Sequence, residues 1–168
     1  FYQAPGRMNV FDEHPFKVIM DYAHNAHGIS AMANLTDQLN IVGKRIVVMA
    51  APGDRRDEDI VELAQAAAGH FDTYICKRDD HTRGRRGDEV PALLHKGLLE
   101  SGVAAEQVRV RAFESLKLLA GDKVMHGLVI AVAHLGHVLG QGAVRVTLLD
   151  KLCEVAAQPL DVGGMFIE

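Results

Sequence analysis

Three short polar clusters interrupt an otherwise apolar and regularly patterned sequence, and each could hold a ligand. The first is Asp21-Tyr22-Ala23-His24-Asn25. A carboxylate, an imidazole and a carboxamide this close together offer an acceptor for sugar hydroxyls, a donor to phosphate and a group able to do both. A helical pattern opens nearby, at His27-Gly28, and a helix N-terminus adds backbone N–H groups and a positive dipole end that favour an anion. Asn25 is equally suited to plain helix capping, so spacing alone leaves cap and ligand contact level. The second cluster is Ala51-Pro52-Gly53-Asp54-Arg55-Arg56-Asp57. Gly53 permits a tight turn, Asp54 or Asp57 suits the cap of a following helix, and adjacent Arg55 and Arg56 could clamp a phosphate or carboxylate through paired donors. The bland reading pairs both arginines with Asp54, Asp57 or Glu58 in solvent. The third cluster runs from Lys77 through Asp79, Asp80, Arg83 and Arg85. Charges of both signs on one loop could grip both ends of an amino acid, and the competing reading is a solvated loop.

Several chemistries are excluded by what the sequence lacks. No GxxxxGK[ST] occurs, so the chain has no phosphate-cradling P-loop of its own. Gly140-Gln141-Gly142 is followed by Arg145, which breaks the GxGxxG dinucleotide fingerprint. Neither HExxH nor GxSxG is present. His24 with His27, and His134 with His137, lack a cysteine or carboxylate partner at metal-ligand spacing, so they read as caps or partly buried histidines. Cys76 and Cys153 form no CxxC pair, and reduced thiols of a cytoplasmic protein are the expectation.

Bulk properties narrow the field further. The net charge is −4, and the one dense basic cluster, Arg83, Arg85 and Arg86, is flanked by Asp79, Asp80, Asp88 and Glu89. That argues against a nucleic-acid carrier and for a small zwitterion or phosphate. Trp is absent and aromatics are 5%, which leaves no base-stacking platform. No apolar run approaches the ~18 residues of a membrane span. The first residues, 1–11, lack the order of a signal peptide.

The elements that must position these clusters follow from periodicity. Residues 7–12 and 16–21 are two extended runs separated by His14-Pro15, a hairpin or a pair of neighbouring strands. Helical spacing covers residues 28–40, 57–69 and 88–101, with short apolar strands at 46–51, 73–76, 108–111 and 128–133 and a helical stretch at 113–119. Strands alternating with helices imply βαβ units, hence a doubly wound α/β domain with a mostly parallel sheet and helices on both faces. Ligands in such sheets bind beyond the carboxyl ends of the strands. All three polar clusters fall there. A final strand at 144–149 and a short helix at 152–157 are expected in a domain spanning residues 1–150, followed by a C-terminal extension or tail from 151 to 168.

Pro5-Gly6-Arg7-Met8, then DYAHN at 21–25, GDRRD at 53–57 and the K-x-D-D-x-x-R-G-R segment at 77–85 together resemble the C-terminal domain of the Mur ligase family. Within that family the combination is most similar to the cyanophycin synthetase branch, over residues 7–133. It departs from the usual pattern at Ala26, where the family has proline, and in the stretch from His134 to Gly142. The resemblance implies a Rossmann-like fold and a share in an ATP-dependent amide ligase. There ATP activates a carboxylate as an acyl phosphate and an incoming amino group attacks it, in this branch arginine joining the side chain of poly-aspartate.

ATP and Mg2+ are the implied cofactors, with the magnesium and the P-loop supplied by a central ATP-binding domain of the same polypeptide. By the same resemblance Arg7, Asp21, His24 and Asn25 are nucleotide-binding. Arg55, Asp79, Asp80, Arg83 and Arg85 touch the incoming amino acid, and no catalytic residue belongs to this domain alone. A homo-oligomer is compatible with all of this. The alternatives are a non-catalytic nucleotide- or amino-acid-binding module, and a Mur-type ligase for another amino acid.

Overall fold

A computed structural model of the chain describes residues 7–11, 16–41, 43–78, 82–111 and 128–133. In chain order these form β1 (Asn9–Phe11), β2 (Phe16–Asp21), α1 (Ala26–Gln38), β3 (Arg45–Met49), α2 (Asp57–Ala67), β4 (Thr73–Lys77), α3 (Glu89–Glu100), β5 (Val108–Arg111) and β6 (Leu128–Ala133). The expected strands and helices are therefore present to within two residues at most ends. The expectations for residues 79–81, for the helical stretch at 113–119 and for everything beyond Ala133 lie outside the described residues.

The strands make one sheet in the order β1-β2-β6-β3-β4-β5. β3, β4 and β5 are parallel neighbours. β1 and β2 form the antiparallel pair that His14-Pro15 foreshadowed. β6 lies between β2 and β3 and runs antiparallel to both. The parallel α/β unit is as expected, but the sheet is mixed where β6 enters it. A fully apolar run marks a central strand, while its partners and direction are set by tertiary contacts that local periodicity does not carry.

Because β6 opposes both neighbours, β2 points the same way as β3, β4 and β5. The chain then steps across the sheet in one direction, with a helix at each step. Right-handed crossovers place α1, α2 and α3 on a single face. Their apolar stripes, Ile29, Met32 and Ala33 on α1, Ile60, Leu63 and Ala64 on α2, and Val90, Leu94 and Leu98 on α3, meet Ile19, Val47, Met49, Tyr74, Cys76 and Val108 from the strands in one core. Strand residues of the opposite parity, among them Val18, Ile46, Val48 and Ile75, are buried too, so both faces of the sheet are covered. Each fully buried aliphatic side chain contributes about 1.5–3 kcal/mol.

Polar groups caught in this core are satisfied. The Thr36 hydroxyl donates to the Met32 carbonyl at 2.8 Å. The Tyr74 hydroxyl accepts from the Gly69 and Phe71 amides and donates to the Ala67 carbonyl, closing the end of α2. Cys76 is a packing residue: burial pushes its thiol up to about 12, so it is neutral at physiological pH. No helix among the described residues is long and apolar enough to cross a membrane.

α2 and α3 approach closely at Gly97, where an added Cβ would lie 2.9 Å from the Ala64 Cβ and 3.1 Å from the Val61 carbonyl oxygen. Gly97→Val should therefore destabilise the domain by about 1–3 kcal/mol, the usual cost of overpacking. Urea denaturation checks it. An unchanged midpoint would mean that the two helices can part without loss.

Candidate functional site

With β2, β3 and β4 pointing the same way, their carboxyl ends bring the three polar clusters to one edge of the sheet. The first is built around the end of β2. Asp21 closes the strand, and its Oδ2 accepts from the Met8 amide at 3.0 Å, holding the entry of β1 beside the exit of β2. Met8 takes a left-handed φ of 49° at this point. Next to it the Arg7 guanidinium lies over the Tyr22 ring, 5.4 Å from its centroid, a cation–π contact. Arg7 and Asp21 are thus held at one corner.

His24 Nδ1 is 2.9 Å from the Tyr22 carbonyl. A carbonyl can only accept, so Nδ1 is the donor in this contact and Nε2 is the ring nitrogen left for other partners. Asn25 is the N-cap of α1, its Oδ1 accepting from the Gly28 amide at 2.8 Å. The capping role expected for Asn25 is real, and it leaves the side-chain NH2 at the exposed surface.

The second and third clusters form one unit. Arg85 has a side chain only 16% exposed and reaches across from the β4–α3 loop to the β3–α2 loop. Its Nε donates to the Gly53 carbonyl at 2.8 Å and its Nη2 to the Arg55 carbonyl at 2.6 Å. The same guanidinium pairs with Asp57 at 2.7 Å and with Glu89 at 2.6 Å. Where Arg83 and Gly84 turn the chain, both have left-handed φ angles, 50° and 92°. Arg83 then donates to Asp54 at 2.6 Å. That hydrogen bond holds the Asp54 carboxyl below its ordinary value, so the link is complete at neutral pH and is lost only as the pH falls through the lowered pKa.

The two adjacent arginines have different fates. Arg56 pairs with Asp59 through two hydrogen bonds of 3.1 and 2.6 Å that engage both carboxylate oxygens. Arg55 makes no side-chain hydrogen bond or ion pair with a described residue. Its positive charge acts on Asp54 and Asp59, and the residue lines a cleft of about 180 Å³ between the start of α1 and α2, shared with His24, Asn25, Asp59 and Glu62. The expected capping by Asp54 or Asp57 is not found. Arg56 occupies the N-cap position of α2 without a side-chain capping bond, and Asp57 is the first helical residue, turned to Arg85.

Of the residues expected at the site, Arg7, Asp21, His24 and Asn25 gather at the end of β2, and Arg55 joins His24 and Asn25 across the cleft. Arg83 and Arg85 are engaged by the neighbouring loop. Asp79 and Asp80 lie outside the described residues. Glu62 was missed, although its helical spacing from Asp59, just after the paired arginines, was the available signal. Among the described residues no three His, Cys, Asp or Glu side chains come together to hold a metal ion, and no residue here is assigned to Mg2+.

Residues 6–132, well over half of the chain, match the family model described as Mur ligase, glutamate ligase domain. The chain belongs to the Mur ligase family. This Mur ligase domain is 45% identical over 103 residues to a cyanophycin synthetase of Synechocystis sp., covering 61% of the chain and 12% of that protein. It is also 45% identical over 97 residues to a cyanophycin synthetase of Geminocystis herdmanii, covering 58% of the chain and 11% of that protein. A UDP-N-acetylmuramoyl-L-alanyl-D-glutamate--2,6-diaminopimelate ligase of Aquifex aeolicus is more distant, 28% identical over 135 residues, covering 80% of the chain and 27% of that protein. The chain thus spans about an eighth of the length of the cyanophycin synthetases it matches.

The seam between the two loops depends on Gly53, where an added Cβ would clash with the Thr82 carbonyl oxygen. That neighbour is backbone and cannot swing aside. Gly53→Ala in the Mur ligase domain should therefore part the loops, costing about 1–3 kcal/mol of stability and shifting the amide resonances of residues 82–87. Wild-type resonances and a wild-type urea midpoint would show that the loops do not touch as described.

Proposed function

We propose that this domain serves an ATP-dependent amide ligase by closing over the nucleotide and presenting the incoming amino acid. The observation that carries the reading is the convergence of anion- and hydroxyl-binding groups on one sheet edge, in a chain whose sequence has no P-loop. Arg7 and Asp21 suit a nucleotide's ribose and adjoining phosphates, and His24 with the exposed amide of Asn25 suits phosphate. Arg55, which makes no hydrogen bond with a described residue, offers its guanidinium to the amino acid's carboxylate. Asp79, Asp80 and Arg83 border the same substrate, and Arg85 acts by positioning the loops around it.

The reaction has two steps. A carboxylate oxygen attacks the γ-phosphorus of ATP, releasing ADP and leaving an acyl phosphate. The incoming neutral amine then attacks the acyl carbon, inorganic phosphate leaves, and the amine loses a proton as the amide forms. The P-loop and magnesium ligands belong to a central domain of the same polypeptide, and residues 151–168 form an extension to this domain. The likeness to cyanophycin synthetases favours arginine as the amine and the side-chain carboxylates of poly-aspartate as the acceptors. Charged groups held between closing domains act where water is excluded, which is what a lid contributes.

The isolated chain should bind ATP weakly and hydrolyse none. In the full-length ligase, Asp21→Ala should raise the KM for ATP by roughly tenfold or more, the loss of one charge-assisted hydrogen bond, with the amino-acid KM changed less. Asp21→Asn keeps an oxygen for the Met8 amide and separates the structural role from the ligand role. Wild-type ATP kinetics in both folded variants would overturn the ribose assignment.

A further inference from the structure

Tyr22 stands exposed at the first position beyond β2. Exposure of one ring is ordinary, and what marks Tyr22 is what lies against it. The register of β1 and β2 pairs Asn9 with Met20. Continued outward, that antiparallel ladder sets Met8 opposite Asp21 and Arg7 opposite Tyr22. The Met8 amide does donate to Asp21 Oδ2 at 3.0 Å, and the Arg7 guanidinium does lie over the Tyr22 ring, 5.4 Å from its centroid. On another side the His24 ring meets Tyr22 in a T-shaped contact, the centroids 6.0 Å apart and the planes at 68°. Arg7 makes no side-chain hydrogen bond or ion pair with a described residue, and the Tyr22 hydroxyl makes no hydrogen bond with one. Among the described residues, then, the ring face is what orients this guanidinium.

We infer that Tyr22 is a positioning residue for Arg7, its ring face holding the guanidinium at the corner beside Asp21 so that a nucleotide meets a cation already in place. The inference rests on the reading of Arg7 as nucleotide-binding and adds the residue through which that cation is oriented. A long arginine side chain loses rotamer freedom when it docks on a phosphate, and a contact that holds it beforehand reduces that loss. The kind of contact matters. A carboxylate partner would neutralise the charge that a phosphate needs, whereas an aromatic face orients the cation and leaves its charge and its N–H edge available. Asp21, the nearest carboxylate in sequence, directs Oδ2 to the Met8 amide instead. The Tyr22 carbonyl meanwhile fixes His24 through Nδ1 at 2.9 Å, a main-chain role that substitution of the side chain leaves intact.

Two readouts test it. In the isotope-labelled chain the Arg7 side-chain protons, lying over a ring face, should resonate upfield in the wild type and in Tyr22→Phe. They should return to ordinary exposed-arginine positions in Tyr22→Leu, while the amides of β3 and α2 stay in place and report an intact fold. In the full-length ligase Tyr22→Leu should raise the KM for ATP about two- to fivefold, the scale of an exposed cation–π contact, with kcat and the amino-acid KM near wild type. Tyr22→Phe, which keeps the ring, should keep the wild-type KM. Arg7→Gln should raise the ATP KM roughly tenfold or more, as loss of a charge-assisted bond requires. Adding Tyr22→Leu to Arg7→Gln should then cost nothing further, because the ring has no cation left to orient. Additive effects would mean that the ring touches the nucleotide itself, and would overturn the positioning role. So would Arg7 protons without an upfield shift in the wild type, or a wild-type ATP KM in Tyr22→Leu beside a raised one in Arg7→Gln. A wild-type ATP KM in Arg7→Gln instead removes the nucleotide reading of Arg7, and the positioning role falls with it even where the ring shift is seen.

Discussion

The Arg85 guanidinium donates to two backbone carbonyls and pairs with two carboxylates, and these partners come from both loops at the carboxyl edge. A planar fork with five N–H donors is the side chain able to do this from one position, and lysine could not reproduce it. Its acceptors at Gly53 and Arg55 are main-chain groups of a tight turn that the strand ladder and α2 leave unpaired. Satisfying them by a charge from the next loop fixes that turn against the β4–α3 connection. The direction of the Arg55 side chain, and with it one wall of the cleft, follows from where this turn is held.

Two neighbouring arginines reach opposite ends from this constraint. Arg56 sits at the N-cap of α2, where Asp59 is one turn ahead and on the same face, so a bidentate pair forms locally. Arg55, one residue earlier, has its carbonyl held by Arg85 while its side chain faces α1. Local pairing holds one guanidinium and leaves the other without a hydrogen bond to a described residue.

Much of this was legible in the sequence. Alternating short apolar runs and amphipathic stretches gave the strands and helices, since 2-residue and 3.6-residue periods reflect which side chains reach the core. The location of the polar clusters at strand ends followed from the α/β topology. What could not be read was pairing between distant segments. The antiparallel insertion of β6 between β2 and β3 depends on contacts between segments far apart in sequence, such as Asp21 with Leu128 and Val48 with Val129. Likewise, nothing in GDRRD or RGR distinguishes an arginine that staples loops from one that faces a ligand, because exposure and partners are properties of the folded edge. Asn25 shows the overlap well: the residue type serves capping and ligand contact alike, and the structure assigns its carbonyl to the cap.

The central claim, that Arg85 makes a single preorganised edge of two loops, is tested most directly by amide hydrogen exchange in the wild type and in Arg85→Met. The amides of Arg55 and Glu89, which donate to the carbonyls of Pro52 and Arg86, report on the two loops separately. The account predicts that both lose protection by roughly tenfold or more in the variant, while the amides of β3 and β4 keep theirs, because local opening and global unfolding draw on different free energies. Unchanged protection of both loop amides, or a uniform loss across strands and loops alike, would contradict it.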